Sequence, residues 1–328
     1  MMDRRTFARA AAAALALVPF SGDAQPPSGK IYRIGFLGST SAYAFASRVE
    51  ALRAGLRDLG YIEGKNIVIE YRWADGHFDL LPKLAAELVR LKVDVLVVHS
   101  TTGASVAKQA TTTIPIVMAI GADAVATGLV QSLARPGGNL TGSTIISPEI
   151  YAKRLELLKA AVPRITHAAV LARRDSPDTA PLLRSMETAA RSLNVALKVT
   201  EVRGPDEFAS AFAAIAAAGV DAIAVTDDVM LISNSQAIAD LAARHRLPST
   251  GSRDLAEAGG LIGYGVDALE IFRHAALFVD KILKGTKPSD LPIEQATKFQ
   301  LIINLKAAKA LGLTFPQTVL VRADEVIQ

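Results

Sequence analysis

The chain has 328 residues, of which 50% are hydrophobic and 21% charged, with a formal net charge of +4. This is the composition of a folded chain long enough for roughly two domains, and it excludes disorder on that scale. Basic residues alternate with acids on helical stretches such as "RVEALRAGLRDLG", a solvated face rather than a nucleic-acid surface, and the lack of cysteine excludes a disulfide framework, a thiolate zinc site, a catalytic thiol and a lipid-bearing cysteine.

In chain order, "MMDRRTFARAAAAALALVPFSGDAQ" comes first, with a basic head, an apolar run too short to span a bilayer, and a small-residue cleavage pattern at Gly22-Asp23-Ala24. It reads as an export signal over residues 1–24, which places the mature protein in the periplasm. Arg4-Arg5-Thr6-Phe7 resembles the twin-arginine signature of proteins exported already folded. Cleavage removes three arginines and two aspartates, so the charge falls from +4 to +3.

From residue 31, short β-branched runs alternate with longer amphipathic ones, the pattern of repeated βα units in a largely parallel α/β fold. Strands are expected at 31–38, 65–74, 93–99, 114–120 and 139–146, with helices at 44–60, 79–91, 103–112 and 127–134. Pro136-Gly137-Gly138 then reads as a helix stop and turn, since glycines at a helix carboxyl end meet the negative dipole and cannot cradle a phosphate. The cycle restarts with helices at 151–162, 179–194, 206–219 and 235–247 and strands at 167–173, 195–202, 220–228 and 259–265. A long amphipathic helix at 268–285 and the stretch 287–305 are too little for a third domain. The chain is therefore expected to cross back between two lobes, 31–145 with about 267–295 and 146–266 with about 296–328, enclosing a cleft.

Catalytic signatures are absent: there is no G-x-S-x-G, H-E-x-x-H or G-x-x-x-x-G-K-[ST], and the five histidines are scattered without metal-ligand spacing. Neither an enzyme, a metal site nor a cofactor is expected. Gly263-Tyr264-Gly265-Val266-Asp267-Ala268 fits G-x-G-x-x-A, the one feature that would favour a nucleotide-dependent oxidoreductase. It opens no βαβ unit, because the following helix is still running at Asp280, and Asp267 reads as a helix cap.

Candidate ligand groups lie where strands give way to helices, since loops at the carboxyl ends of parallel strands form the crevice and helix amino termini there favour anions. They are Ser39 and Thr40; Ser100, Thr101 and Thr102; Asp175; Thr226, Asp227 and Asp228; and Ser252 and Arg253. Ser100 to Thr102, directly before a helix, suits a carboxylate or helix capping; Asp227 and Asp228 suit an amine, hydroxyls or a cap.

The stretches "IPIVMAIGADAVATGLVQSLARPGGNLTG", "LAARHRLPSTGSRDLAEAGGLIGYGVD" and "VDKILKGTKPSDLPIEQATKFQLIINLKAAKALGLTFPQTVLVRADEVI" resemble the tryptophan/tyrosine-binding-like family of ABC-transporter solute-binding proteins. The resemblance implies a type I periplasmic binding fold of two Rossmann-like lobes, three crossover strands and a ligand cleft closed by hinge motion. It further implies a monomer that captures a small molecule for an ABC permease of the inner membrane, with the ligand carboxylate near Ser100–Thr102 and the amine near Thr226–Asp228. A ligand-sensing module for a membrane receptor can use the same fold. "STGSRDLAEAGG" lacks the aromatic residue that family members often carry before this stretch.

Overall fold

The structure, a computed structural model, describes residues 29–145 and 147–328. The expected export signal, its twin-arginine pair and its cleavage pattern lie outside the described residues. No described helix is long and apolar enough to cross a membrane.

In chain order the elements are β1 (Tyr32–Gly38), α1 (Ala46–Asp58), β2 (Ile67–Trp73), α2 (Leu81–Arg90), β3 (Val95–His99), α3 (Thr101–Ala110), β4 (Ile116–Ile120) and β5 (Leu140–Thr144). Next come α4 (Ser147–Ala161), β6 (His167–Arg173), α5 (Thr179–Ser192), β7 (Ala196–Val202), α6 (Phe208–Ala217), β8 (Ala222–Val225), α7 (Val229–Ser233), α8 (Ser235–Arg244), β9 (Ser249–Gly251), α9 (Arg253–Glu257) and β10 (Ile262–Val266). The tail comprises α10 (Ala268–Leu283), β11 (Glu294–Gln295), β12 (Phe299–Asn304), α11 (Leu305–Leu311), α12 (Gln317–Leu320) and β13 (Glu325–Ile327).

Two sheets result. The first runs β11-β5-β4-β3-β1-β2 with parallel pairing throughout, and the second runs β13-β12-β10-β9-β8-β6-β7, parallel except where β12 lies antiparallel to β10. Both sheets are covered on both faces, so their central strands are apolar along their whole length rather than alternating. In β1, Ile34 and Phe36 enter one core with Leu52, Leu56, Phe272 and Val279, while Leu37 enters the other with Leu81, Leu88 and Ala104. The second sheet is buried in the same way, with Val170 facing Leu155 and Met186 on one side and Leu171 facing Phe212 and Ile238 on the other.

The chain passes between the sheets from β5 to α4, from β10 to α10, and from β11 to β12. Helix α10 follows a strand of the second sheet but packs on α1 in the core of the first, through Phe272, Ala275, Ala276 and Val279. A glycine is required at that contact, because a Cβ on Gly55 would lie 2.4 Å from the Arg273 carbonyl oxygen.

The helix expected over 127–134 does not form; turns and bends occupy it. Asp123 Oδ1 accepts from the N–H groups of Val125 and Ala126, Ser132 Oγ accepts from Arg135 N–H, and Gly128 sits at φ +71. Side chains thus take the donors a helix would use. Leu129 and Val130 are buried, so the apolar spacing that imitates a helix serves an irregular segment. Gly137 and Gly138, at φ +64 and +76, turn the chain into β5, and no helix end stands before them.

Candidate functional site

A cavity of about 360 Å³ lies between the carboxyl ends of the two sets of strands, within the size range of small-molecule sites. Its apolar lining includes Phe45, Ile120, Leu182, Ile232 and Phe272.

The wall on the first sheet's side is the start of α3. Ser100 adopts φ +74, rare for a residue with a side chain, and its Oγ accepts from Gly103 N–H at 3.1 Å. This cap holds α3 with its first-turn N–H groups, those of Thr101 and Thr102, lacking intrahelical acceptors at the cavity edge. The hydroxyls beside them are already engaged. Ser100 Oγ also bonds Ser39 Oγ at 3.1 Å, Thr101 Oγ1 accepts from Ala122 N–H at 3.1 Å, and Thr102 Oγ1 accepts from Arg173 Nη2 at 3.2 Å. An anion here would meet backbone N–H groups and dipole charge before it met free hydroxyls.

His99 backs this wall, its ring centroid 4.2 Å from that of Phe45. Its Nε2 accepts from Ser39 N–H, which puts the ring proton on Nδ1. Burial lowers its pKa to about 3, helped by the nearby Arg48 charge, so the ring is neutral.

The opposite wall is charged. Arg154, on α4 and 1% exposed, donates from Nε to the Tyr264 carbonyl at 2.7 Å and from Nη2 to Asp227 Oδ2 at 2.9 Å, and it lies over the Tyr151 ring. Gly265 leaves room for it, since a Cβ there would sit 3.1 Å from Nη2. Tyr151 OH accepts from Asp227 N–H at 2.8 Å. Arg154 Nη1 and Asp227 Oδ1 are buried without partners.

Asp228 is balanced: it accepts from Arg173 Nε at 2.8 Å and caps α7 through Met230 N–H. Arg173 in turn lies over the Phe78 ring at 4.2 Å, joining the two halves. Asp178 differs: Arg173 pairs with Asp228 instead, and Asp178 Oδ1 is buried with no partner. Burial raises its pKa to about 6, the Asp228 charge adds to this, and a hydrogen bond from Thr101 and the charge of Arg173 oppose it. Across the cavity mouth Arg48 of α1 pairs with Asp254 of α9 at 2.6 Å.

Of the residues expected at the site, Ser100, Thr101, Thr102, Thr226, Asp227, Asp228, Ser252 and Arg253 line the cavity, while Ser39, Thr40 and Asp175 do not. Ser39 and Thr40 are buried behind the wall, where Ser39 supports Ser100 and His99, and Asp175 is exposed in a left-handed turn at φ +61. Arg253 lines the cavity with its charge spent on Glu257 and Glu325, both at 2.6 Å. The G-x-G-x-x-A stretch holds no open anion site: Asp267 Oδ1 takes the N–H groups of Leu269 and Glu270. No group of three or more His, Cys, Asp or Glu among the described residues could hold a metal ion.

Sequence reasoning did not single out Arg154, Tyr151, Asp178 or Arg48. A signal exists for Arg154: it falls on the helical stripe Tyr151, Leu155, Leu158, so it is an arginine on an apolar face. Asp178 carries no such signal, because its isolation depends on charges far away in sequence.

Two mostly parallel sheets with a cavity between the ends of their strands define a type I periplasmic binding fold. The model of the ABC transporter substrate binding protein family matches residues 34–327, and the chain belongs to that family. It is 27% identical over 260 residues to a tyrosine-binding protein of Clostridioides difficile strain R20291, covering 79% of this chain and 74% of that one. Among solved structures it is similar to a conserved domain protein of Vibrio cholerae O1 biovar eltor, with a TM-score of 0.85 and 29% identity over 90% of this chain and all of that one. It is also similar to a Streptococcus pneumonia ABC domain solved in complex with L-Trp, with a TM-score of 0.85 and 26% identity over 91% of this chain and all of that one.

Proposed function

We propose that this protein captures a free amino acid outside the cytoplasmic membrane and delivers it, as a monomer, to the permease of an ABC importer. The observation that carries the reading is Asp178, a carboxylate with a partnerless oxygen, facing one cavity with the amino terminus of α3. The ligand carboxylate sits against Thr101 N–H and Thr102 N–H, and its ammonium against Asp178. The amine lies at Asp178 rather than at 226–228 because Asp227 and Asp228 already face arginines. Arg48–Asp254, Arg173–Thr102 and the Arg173–Phe78 contact close the two lobes over the ligand, and the permease reads that closure. The named ligands of the relatives, tyrosine and L-Trp, are of this class.

The test is to unfold and refold the purified protein, removing carried-over ligand, and to screen thermal shifts against amino acids, aromatic acids, oxo acids and nucleotides. A ligand at 100 times its dissociation constant adds about 2.7 kcal/mol of stability. Stabilisation by amino acids is expected; stabilisation by a dinucleotide and by no amino acid would overturn the reading.

A further inference from the structure

Once a zwitterionic head occupies the α3 terminus and Asp178, the Arg154–Asp227 pair remains unused. This inference rests on the amino-acid reading above and extends it to the rest of the ligand. Arg154 is one of the largest fully buried side chains, and its Nη1 has no acceptor. Asp227 Oδ1 likewise has no donor. A buried donor or acceptor left unsatisfied costs the desolvation of that group, and both residues line the cavity.

Charge decides what suits them. The pair is neutral as a unit, bonded through Nη2 and Oδ2 at 2.9 Å. An anion added at Nη1 would face the Asp227 carboxylate, and a cation added at Oδ1 would face the guanidinium. A neutral group that both accepts and donates satisfies Nη1 and Oδ1 without disturbing that balance. Carboxamides and hydroxyls have this character, whereas hydrocarbon side chains leave both atoms orphaned.

The geometry points to Arg154 and Asp227 as a specificity pair that selects amino acids whose side chain carries a neutral donor–acceptor group, a carboxamide or a hydroxyl, over their hydrocarbon and anionic counterparts. Arg154 donates from Nη1 to the ligand carbonyl or hydroxyl oxygen, and Asp227 Oδ1 accepts the ligand N–H or O–H.

The experiment is calorimetric titration of the refolded protein with glutamine, methionine, glutamate, tyrosine and phenylalanine, read as ratios within pairs. In the pair that binds, glutamine over methionine or tyrosine over phenylalanine, a preference of at least about tenfold is expected, because a site built to hydrogen-bond a ligand group rejects the analogue lacking it. Glutamine is expected to exceed glutamate. Arg154→Met should collapse the paired ratio towards one. Asp227→Asn keeps the shape of the site but uncovers the arginine charge, and should shift preference from glutamine towards glutamate, which a purely structural role would not do. Methionine and phenylalanine binding as tightly as their polar counterparts, glutamate binding tightest to the unmodified protein, or an unchanged glutamine-to-glutamate ratio in Asp227→Asn would overturn this inference and leave the amino-acid reading intact. Failure of every amino acid to bind would overturn both.

Discussion

The two walls of the cavity are built on different principles. On the α3 side, Ser100, Thr101 and Thr102 form a hydroxyl cluster that looks made for a ligand, yet each hydroxyl is tied to the protein and the open groups are backbone N–H. On the other side the wall is built of charged side chains, and three of their atoms, Arg154 Nη1, Asp227 Oδ1 and Asp178 Oδ1, are buried without partners. A residue's type marks where a site lies; its leftover hydrogen-bonding capacity marks what the site takes.

Substitutions should separate the walls. Asp227→Ala leaves the Arg154 charge buried and unpaired, and should cost about 3 kcal/mol of unfolding free energy, the low end for breaking a buried pair because Asp227 is itself 22% exposed. Denaturant unfolding of the ligand-free protein checks this. Next, Asp178→Asn should weaken amino-acid binding by about 100-fold, or ~2.7 kcal/mol, in calorimetry. The same group sets the pH dependence. Its pKa, raised from 3.8 to about 6, means that the folded protein holds this proton more tightly than the unfolded chain. Its ionisation therefore lowers ligand-free stability as pH rises from about 4 to 6, with no further loss above. An ammonium needs the ionised form, so affinity should rise about tenfold per pH unit up to about pH 6 and then level off. Asp178→Asn should flatten that profile.

Smaller effects are expected where charges are paired at the cavity edge. Arg48→Ala removes the bridge to Asp254 across the mouth and should reduce affinity by about tenfold through a less stable closed state. Small-angle scattering of the liganded variant should show a larger radius of gyration if closure is impaired. On the hydroxyl wall, Thr102→Val should cost about 1 kcal/mol, the worth of one hydrogen bond. Arg253→Ala, whose pairs with Glu257 and Glu325 are one-third exposed on the arginine side, should cost less than about 1 kcal/mol.

Much of the fold was legible because it follows from local periodicity. Val95 to Val98 read as a buried parallel strand, and Phe272, Ala275, Ala276 and Val279 as a helix face. The failure at 127–134 has a local cause, the diversion of backbone donors by Asp123 and Ser132 together with Gly128, while the apolar spacing stayed helical. The site was legible only as a set of strand-end loops, which placed Ser100, Thr101, Thr102, Thr226, Asp227 and Asp228 at the cavity. The partners that decide their roles are remote in sequence: Asp227 is 73 residues from Arg154, Asp228 is 55 from Arg173, and Asp254 is 206 from Arg48. No periodicity reports such pairings, so the sequence offers an amine, hydroxyls or a cap for Asp227 and Asp228 without their arginines, and it does not mark Asp178.

The central claim is that one head group bridges the α3 amino terminus and Asp178. Calorimetry with the tightest-binding amino acid, its deaminated acid and its methyl ester tests this directly. Loss of either head charge should weaken binding by at least about 100-fold, ~2.7 kcal/mol. A deaminated acid that binds as tightly as the amino acid would contradict the account.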